Sequence, residues 1–254
     1  MDLFVDKHSV VRKIWGTSDT VLFIFAGAAA EFALNKAVDW LYFTGRLPAD
    51  PIRRLFSTVS YARLIVFSET DKANSVIDKI HSIHDAVEES RSAQIPDWAY
   101  RDVLFMLIDY SIRSYELLER KLTLREKEEV FSVFSRVGHR MQINGLPASY
   151  VEWLLMREQH LNKDMVYSAY TKDLFKQYKK HLGAIRFFIL KQGQILVAPS
   201  QVIRLLRHGK ISILKPAIFL YKIFRSLKMD WFVKNLILPT EYKAQIKALD
   251  IADN

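Results

Sequence analysis

The stretch SVIDKIHSIHDAVEES, Ser75 to Ser90, places two histidines one helical turn apart. At about 100° per residue, Val76, Ile77, Ile80, Ile83 and Val87 form an apolar stripe, with Asp78, Ser82, Asp85 and Glu89 opposite. His84 falls inside the stripe and His81 at its edge. An imidazole there is either a satisfied core residue or a ligand; its neutral form offers one ring nitrogen to a metal. His81 and His84, with Asp78, could also be read as an H-x-x-H non-haem metal set, but the three fan off the helix rather than converge.

Other polar residues sit on apolar faces. In DPIRRLFSTVSYARLIVF, Asp50 to Phe67, Arg54 and Thr58 share a face with Ala62 and Ile65. Guanidinium keeps its proton, so burying it requires an anion, several acceptors or a head that reaches water. In VLFMLIDYSIRSY, Val103 to Tyr115, six apolar residues lead into Asp109. That helix is expected to be buried nearly all round, and Asp109 then needs a donor such as Arg54, Arg113 or a histidine. Glu31, in AGAAAEFALNK, lies among small residues that permit close approach by another group. Imidazole, guanidinium, hydroxyl and carboxylate (His84, Arg54, Thr58, Asp109) aimed into one core suggest a shared ligand, apolar in the middle and anionic at its edge. Haem has that character, with an iron that accepts imidazole and propionates that need donors. His139, His160 and His181 lie in charged surroundings and read as surface residues; Tyr100, Tyr110 and Tyr115 read as core or interface aromatics.

The elements that would position these groups are helical. Periodicity predicts helices near 18–43, 51–67, 70–91, 98–120, 123–143, 147–161, 164–190, 199–208 and 215–235. Breaks are expected at Gly16, Gly45 to Pro51, Pro96, Gly145 to Pro147, Gly193, Pro199, Pro216 and Pro239. Asp50 before Pro51, Asp97, and Thr123 with Glu126 read as helix starts. GQILVAPS reads as a connector. Half of the 254 residues are apolar, and the 8 Gly and 7 Pro are few, which favours a packed helical domain. The chain has no cysteine, which excludes disulfides, thiolate catalysis and zinc–thiolate or iron–sulfur sites. No glycine-rich phosphate loop, nucleophile elbow or zincin motif is present.

The net charge of +9 is unevenly placed: from Thr171 to Asn254 there are 16 Lys/Arg against 5 Asp/Glu. ISILKPAIFLYKIFRSLKMDWFVKNLILP, residues 211–239, mixes these cations with large apolar residues at helical spacing. It reads as a basic amphipathic helix that either lies on an anionic membrane or packs on the domain. Nucleic acid is not expected, because no recognised binding motif accompanies the charge. The segment TVLFIFAGAAAEFAL is too short to span a bilayer comfortably. The N-terminus does not read as a signal peptide, so a cytoplasmic protein with peripheral membrane contact is expected.

The order R-x-x-x-T (Arg54 to Thr58), then ARLIVF, then IHDAV with its histidine 26 residues after the threonine, resembles the rubber oxygenase/MpaB catalytic-domain family. YRDVLFMLIDYSIRSYELLERKLTLREKEE is similar to its long buried helix and following helix start, and GLPASYVEW to its Leu-Pro turn. The likeness covers roughly residues 14 to 206. It implies an all-α, globin-like core over 1–208 that binds haem b, with residues 209–254 as a basic extension. It implies an O2-dependent oxygenase acting on an apolar, isoprenoid or lipid-like substrate, with a haem carrier or sensor as the alternative. His84 matches the axial histidine, and Arg54 and Thr58 match the pair at the haem pocket. Glu31 lies where latex-clearing proteins place a catalytic glutamate, a base for an allylic proton. The chain departs from the pattern at Glu88–Glu89 (usually glycine), at Ser57 (a lysine in some members) and at VLFML (a tryptophan–histidine signature).

Overall fold

A computed structural model describes residues 2–45, 49–209, 211–226 and 250. Among them the chain is all-α, with eleven helices and only two isolated bridges, Leu3 with Glu69 and Asn35 with Met165. The helices are α1 Val10–Trp15, α2 Ser18–Phe32, α3 Val38–Phe43, α4 Pro51–Phe67, α5 Thr70–Arg91 and α6 Asp97–Leu118, then α7 Leu124–Arg140, α8 Tyr150–Lys163, α9 Ala169–Val197, α10 Ser200–Leu205 and α11 Lys215–Ser226. The amphipathic segment expected over 211–239 is described as far as α11; residues 227–239 lie outside the described residues.

Local chemistry sets most of the ends. Asp50 accepts the Arg53 amide at 2.9 Å ahead of Pro51, and Thr123 with Glu126 closes a capping box on α7. Two expectations differ from the structure, an unexpected break and an expected one that is absent. The helix expected over 18–43 is interrupted at residues 33–37, where the Asn35 side chain accepts the Ala37 amide at 2.7 Å and starts a new turn. Gly193 breaks nothing: it lies buried inside α9, where an added Cβ would stand in ordinary contact with Ala26 at 3.6 Å. The run GQILV is therefore helix, not connector. The bend in α9 falls instead at Gly183, whose φ of 73° is outside the helical region.

The long helix α6 is the centre. It packs chiefly on α2 and α7, while α9 packs on α2 and also touches α6. Trp15, Ile24, Phe105, Ile108, Tyr110, Phe134 and Trp153 fill the main core. The pair α4–α5 lies against this body by a narrower face. Of the 22 residues of α5 only Ala73 and Ile77 are fully buried.

Candidate functional site

Two polar clusters stand apart in the fold. The first lies on α4 and α5. His84 projects from α5 half-buried, and its Nδ1–H donates to the Ile80 carbonyl at 2.9 Å. That bond fixes the tautomer and leaves the Nε2 lone pair without a hydrogen bond among the described residues. Burial, with the Arg54 charge adding to it, pushes the imidazole below its ordinary pKa, so the ring is neutral at pH 7. Tyr100 meets the ring edge-on at 5.2 Å and donates its hydroxyl to Glu88 at 3.0 Å. Val76, Ile80 and Val87 of the expected stripe are half-buried and Ile83 is 39% exposed, so the apolar face around His84 is incompletely covered. On α4, Arg54 Nη1 donates to Ser57 Oγ at 3.1 Å, and the Thr58 hydroxyl donates to the Arg54 carbonyl at 3.2 Å. Arg54, Thr58 and His84 are all partly exposed rather than sealed in the core.

The H-x-x-H set does not form. Asp78 is held by Arg140 through two bonds of 2.7 Å, and His81 leans on Asp85 at 3.7 Å.

The second cluster is buried between α2, α6 and α8. Glu31, fully inaccessible, accepts both terminal nitrogens of Arg157, the Tyr110 hydroxyl at 2.8 Å and His160 Nε2 at 3.0 Å. Arg157 also donates to Asp109 through Nε at 3.1 Å and Nη2 at 2.9 Å, and Asp109 takes Arg113 at 2.7 Å. Of the donors expected for Asp109, Arg113 is one; the second is Arg157 rather than Arg54. His160 Nδ1 lies 2.7 Å from Asp102 without the alignment of a hydrogen bond, and Asn35 donates to that carboxylate at 3.2 Å. Gly27 makes the arrangement possible: a Cβ there would stand 2.2 Å from the Tyr110 ring. One turn further along α2, Glu31 receives the hydroxyl of that same ring. The small residues around Glu31 thus admit a tyrosine.

Burial alone would raise Glu31, but the Arg157 charge and hydrogen bonds, with those of His160, hold it down at about 2. Burial would lower His160, yet the Asp102 and Glu31 carboxylates lift it to about 9. Burial raises Asp102 against the pull of His160. At pH 7 Glu31 is therefore a carboxylate and His160 a cation inside the cluster. Such a saturated carboxylate is an anchor more than a base. Asp102, His160 and Asp164 bring one ligand atom each within 4.8 Å of the others, a set that could hold a divalent cation in place of the histidine proton.

His160, expected at the surface, is thus corrected to a buried network member at 3% exposure, whereas His139 and His181 are exposed. The signal lay in α8: Trp153, Arg157, His160 and Asp164 repeat at helical spacing, and the tryptophan marks that face as the buried one. Arg54 and His84 lie on the neighbouring helices α4 and α5, within electrostatic reach of one another. Glu31 and Asp109 come together through Arg157, in the other cluster.

A family model described as ER-bound oxygenase mpaB/B'/rubber oxygenase, catalytic domain, matches residues 13–218. The chain belongs to that family. No curated protein and no solved structure matches it. Membership assigns the chain an oxygenase catalytic domain, and the oxygenase match runs from α1 into α11 and takes in both clusters. No helix among the described residues of this oxygenase domain is long and apolar enough to cross a membrane.

Proposed function

We propose that this oxygenase domain would hold haem b at α4 and α5, with His84 Nε2 as the residue that binds its iron, and would use O2 to oxidise an apolar substrate. One observation carries the reading. His84 is a neutral imidazole whose Nδ1–H is spent on the Ile80 carbonyl, so its free Nε2 is directed out of the helix on an incompletely covered apolar stripe. A core histidine kept only for packing would not need that free edge. The donor set fits the group: an imidazole of fixed tautomer, a cation within electrostatic reach at Arg54, and flanking aliphatic side chains.

Bound, haem would supply O2 binding and activation. The protein's own part is orientation and exclusion. The Ile80 carbonyl holds the imidazole plane and strengthens its donor nitrogen. Arg54 offers a guanidinium to an anionic edge group, braced by Ser57, and Thr58 adds a hydroxyl on the same turn. Ile80 and Val87, half-buried on the same stripe, would give the bound group apolar contacts. The buried Glu31–Arg157–His160 network fixes α8 to α2 and α6, so the body against which α4 and α5 rest is rigid.

Haemin titration of the full chain, followed by tryptophan quenching and by the visible spectrum, tests this reading. A 1:1 complex that His84→Ala weakens by at least about tenfold is expected, and that ratio corresponds to about 1.4 kcal/mol. Oxygen uptake by the loaded protein with an apolar alkene separates an oxygenase from a haem carrier. Saturable haem binding indifferent to His84 would refute the ligand assignment.

A further inference from the structure

α11 docks on the domain in an unexpected sense. The Tyr221 hydroxyl donates to Asp19 Oδ2 at 2.8 Å and pins the helix to the start of α2. Ile218 and Tyr221 are half-buried, while Phe219 and Leu220 are 69% and 57% exposed. An amphipathic helix that only needed the domain as a cover would turn those two residues inward.

The segment before it does the same. Ser212 is buried, and its hydroxyl donates to Gln192 Oε1 at 3.1 Å, the oxygen that also accepts the Ile213 amide at 2.9 Å. Pinning Ser212 turns Ile211 and Ile213 outward, at 79% and 64% exposure. Gln192 stands one turn beyond Phe188 on α9, and Phe188 shares its face with Ile185, 78% exposed. The hydrogen bonds of Gln192 therefore join the α9 stripe to the 211–213 loop, and α11 follows directly.

Cations accompany these residues. Lys215 falls on the Phe219 side of α11, Lys179 and Lys180 are exposed just before the Gly183 bend, and the whole basic excess of the chain lies beyond Thr171. Protruding aliphatic and aromatic tips among lysines suit an interface that is apolar below and anionic above. A nucleic acid would use the lysines and leave the isoleucines in water.

We propose that the face formed by Ile185, Phe188, Ile211, Ile213, Phe219 and Leu220 seats the domain on an anionic lipid bilayer. The apolar tips enter the acyl boundary and the lysines meet the headgroup phosphates. The oxygenase would then meet apolar substrates where they are dissolved. This surface is independent of haem, so the two readings stand or fall separately.

The test is co-sedimentation of the full chain with vesicles of phosphatidylcholine alone and of phosphatidylcholine with phosphatidylserine. Strong partition onto the anionic vesicles is expected, weakening with salt. Phe219→Asp/Leu220→Asp and Ile185→Asp/Phe188→Asp should each reduce it by about tenfold or more, as loss of buried apolar area plus a like charge requires. Leu124→Asp, at a leucine 61% exposed on α7, should leave it unchanged. Circular dichroism checks that each variant stays folded. Failure to sediment, partition indifferent to the two α9 and α11 variants, or variants that instead dissolve a dimer would each overturn the proposal.

Discussion

Replacing Arg157 with methionine removes the cation between two buried carboxylates while keeping an unbranched side chain of similar reach. Glu31 loses two donors and keeps Tyr110 and His160; Asp109 loses two contacts and keeps Arg113. Removing one partner of a buried pair costs about 3–5 kcal/mol. Because both carboxylates keep other donors, the lower end applies, about 3 kcal/mol at pH 7. For a domain of this size that is a fall in Tm of roughly 6–12 °C. The carboxylate also sets the pH dependence. Wild-type Glu31 stays ionised down to about 2, whereas in the variant it takes a proton much earlier, so the deficit should shrink as pH falls through the carboxylate range. Urea unfolding at pH 7 and pH 3 measures both effects. Glu31→Gln combined with Arg157→Met should cost clearly less than the two single changes added together. A deficit below about 1 kcal/mol at pH 7, or strict additivity, would refute the account of this network.

The two shifted groups define a stability window. Glu31 lies at about 2 against an ordinary 4.5, so its contribution is present above 4.5 and lost as pH falls towards 2. His160 lies at about 9 against 6.5, so its contribution is full below 6.5 and lost as pH rises through 9. Denaturant midpoints across pH should show both limbs, and His160→Asn should flatten the alkaline one. Gly27→Ala drives a methyl group into the Tyr110 ring and should cost about 1–3 kcal/mol in thermal unfolding, partly recovered by a smaller residue at 110. Tyr110→Phe alone removes one hydrogen bond from a buried carboxylate and should cost about 1.5–3 kcal/mol.

The helical class and the bounds of α4 and α5 were legible because local signals fix them: Asp50 with Pro51 at one end, and a polar turn at Ser68–Glu69 between two periodic runs. The break after Phe32 was not, since a side chain of Asn35 and the pairing of Asn35 with Met165 create it and no glycine or proline announces it. Gly193 misled for the opposite reason: a single glycine lowers helix propensity by only about 1 kcal/mol and does not end a helix that is buried against its neighbours. The polar clusters divide similarly. Glu31 and Asp109 stand out singly as carboxylates on apolar faces. Their common partner, Arg157, is 126 residues from Glu31, and neither end names the other. His160 looks like a surface residue by its charged neighbours and is buried by the face it shares with Trp153. That Arg54 and His84 lie on neighbouring helices was readable because α4 and α5 are consecutive and joined by a short turn.

The most direct test of the central claim is the visible absorption spectrum of the full chain purified after haem-sufficient expression, beside that of His84→Ala. A Soret band in the wild type that disappears in a His84→Ala protein of unchanged circular dichroism is the expected result. A wild type without haem absorbance even after haemin loading, or an identical band in both proteins, would contradict it.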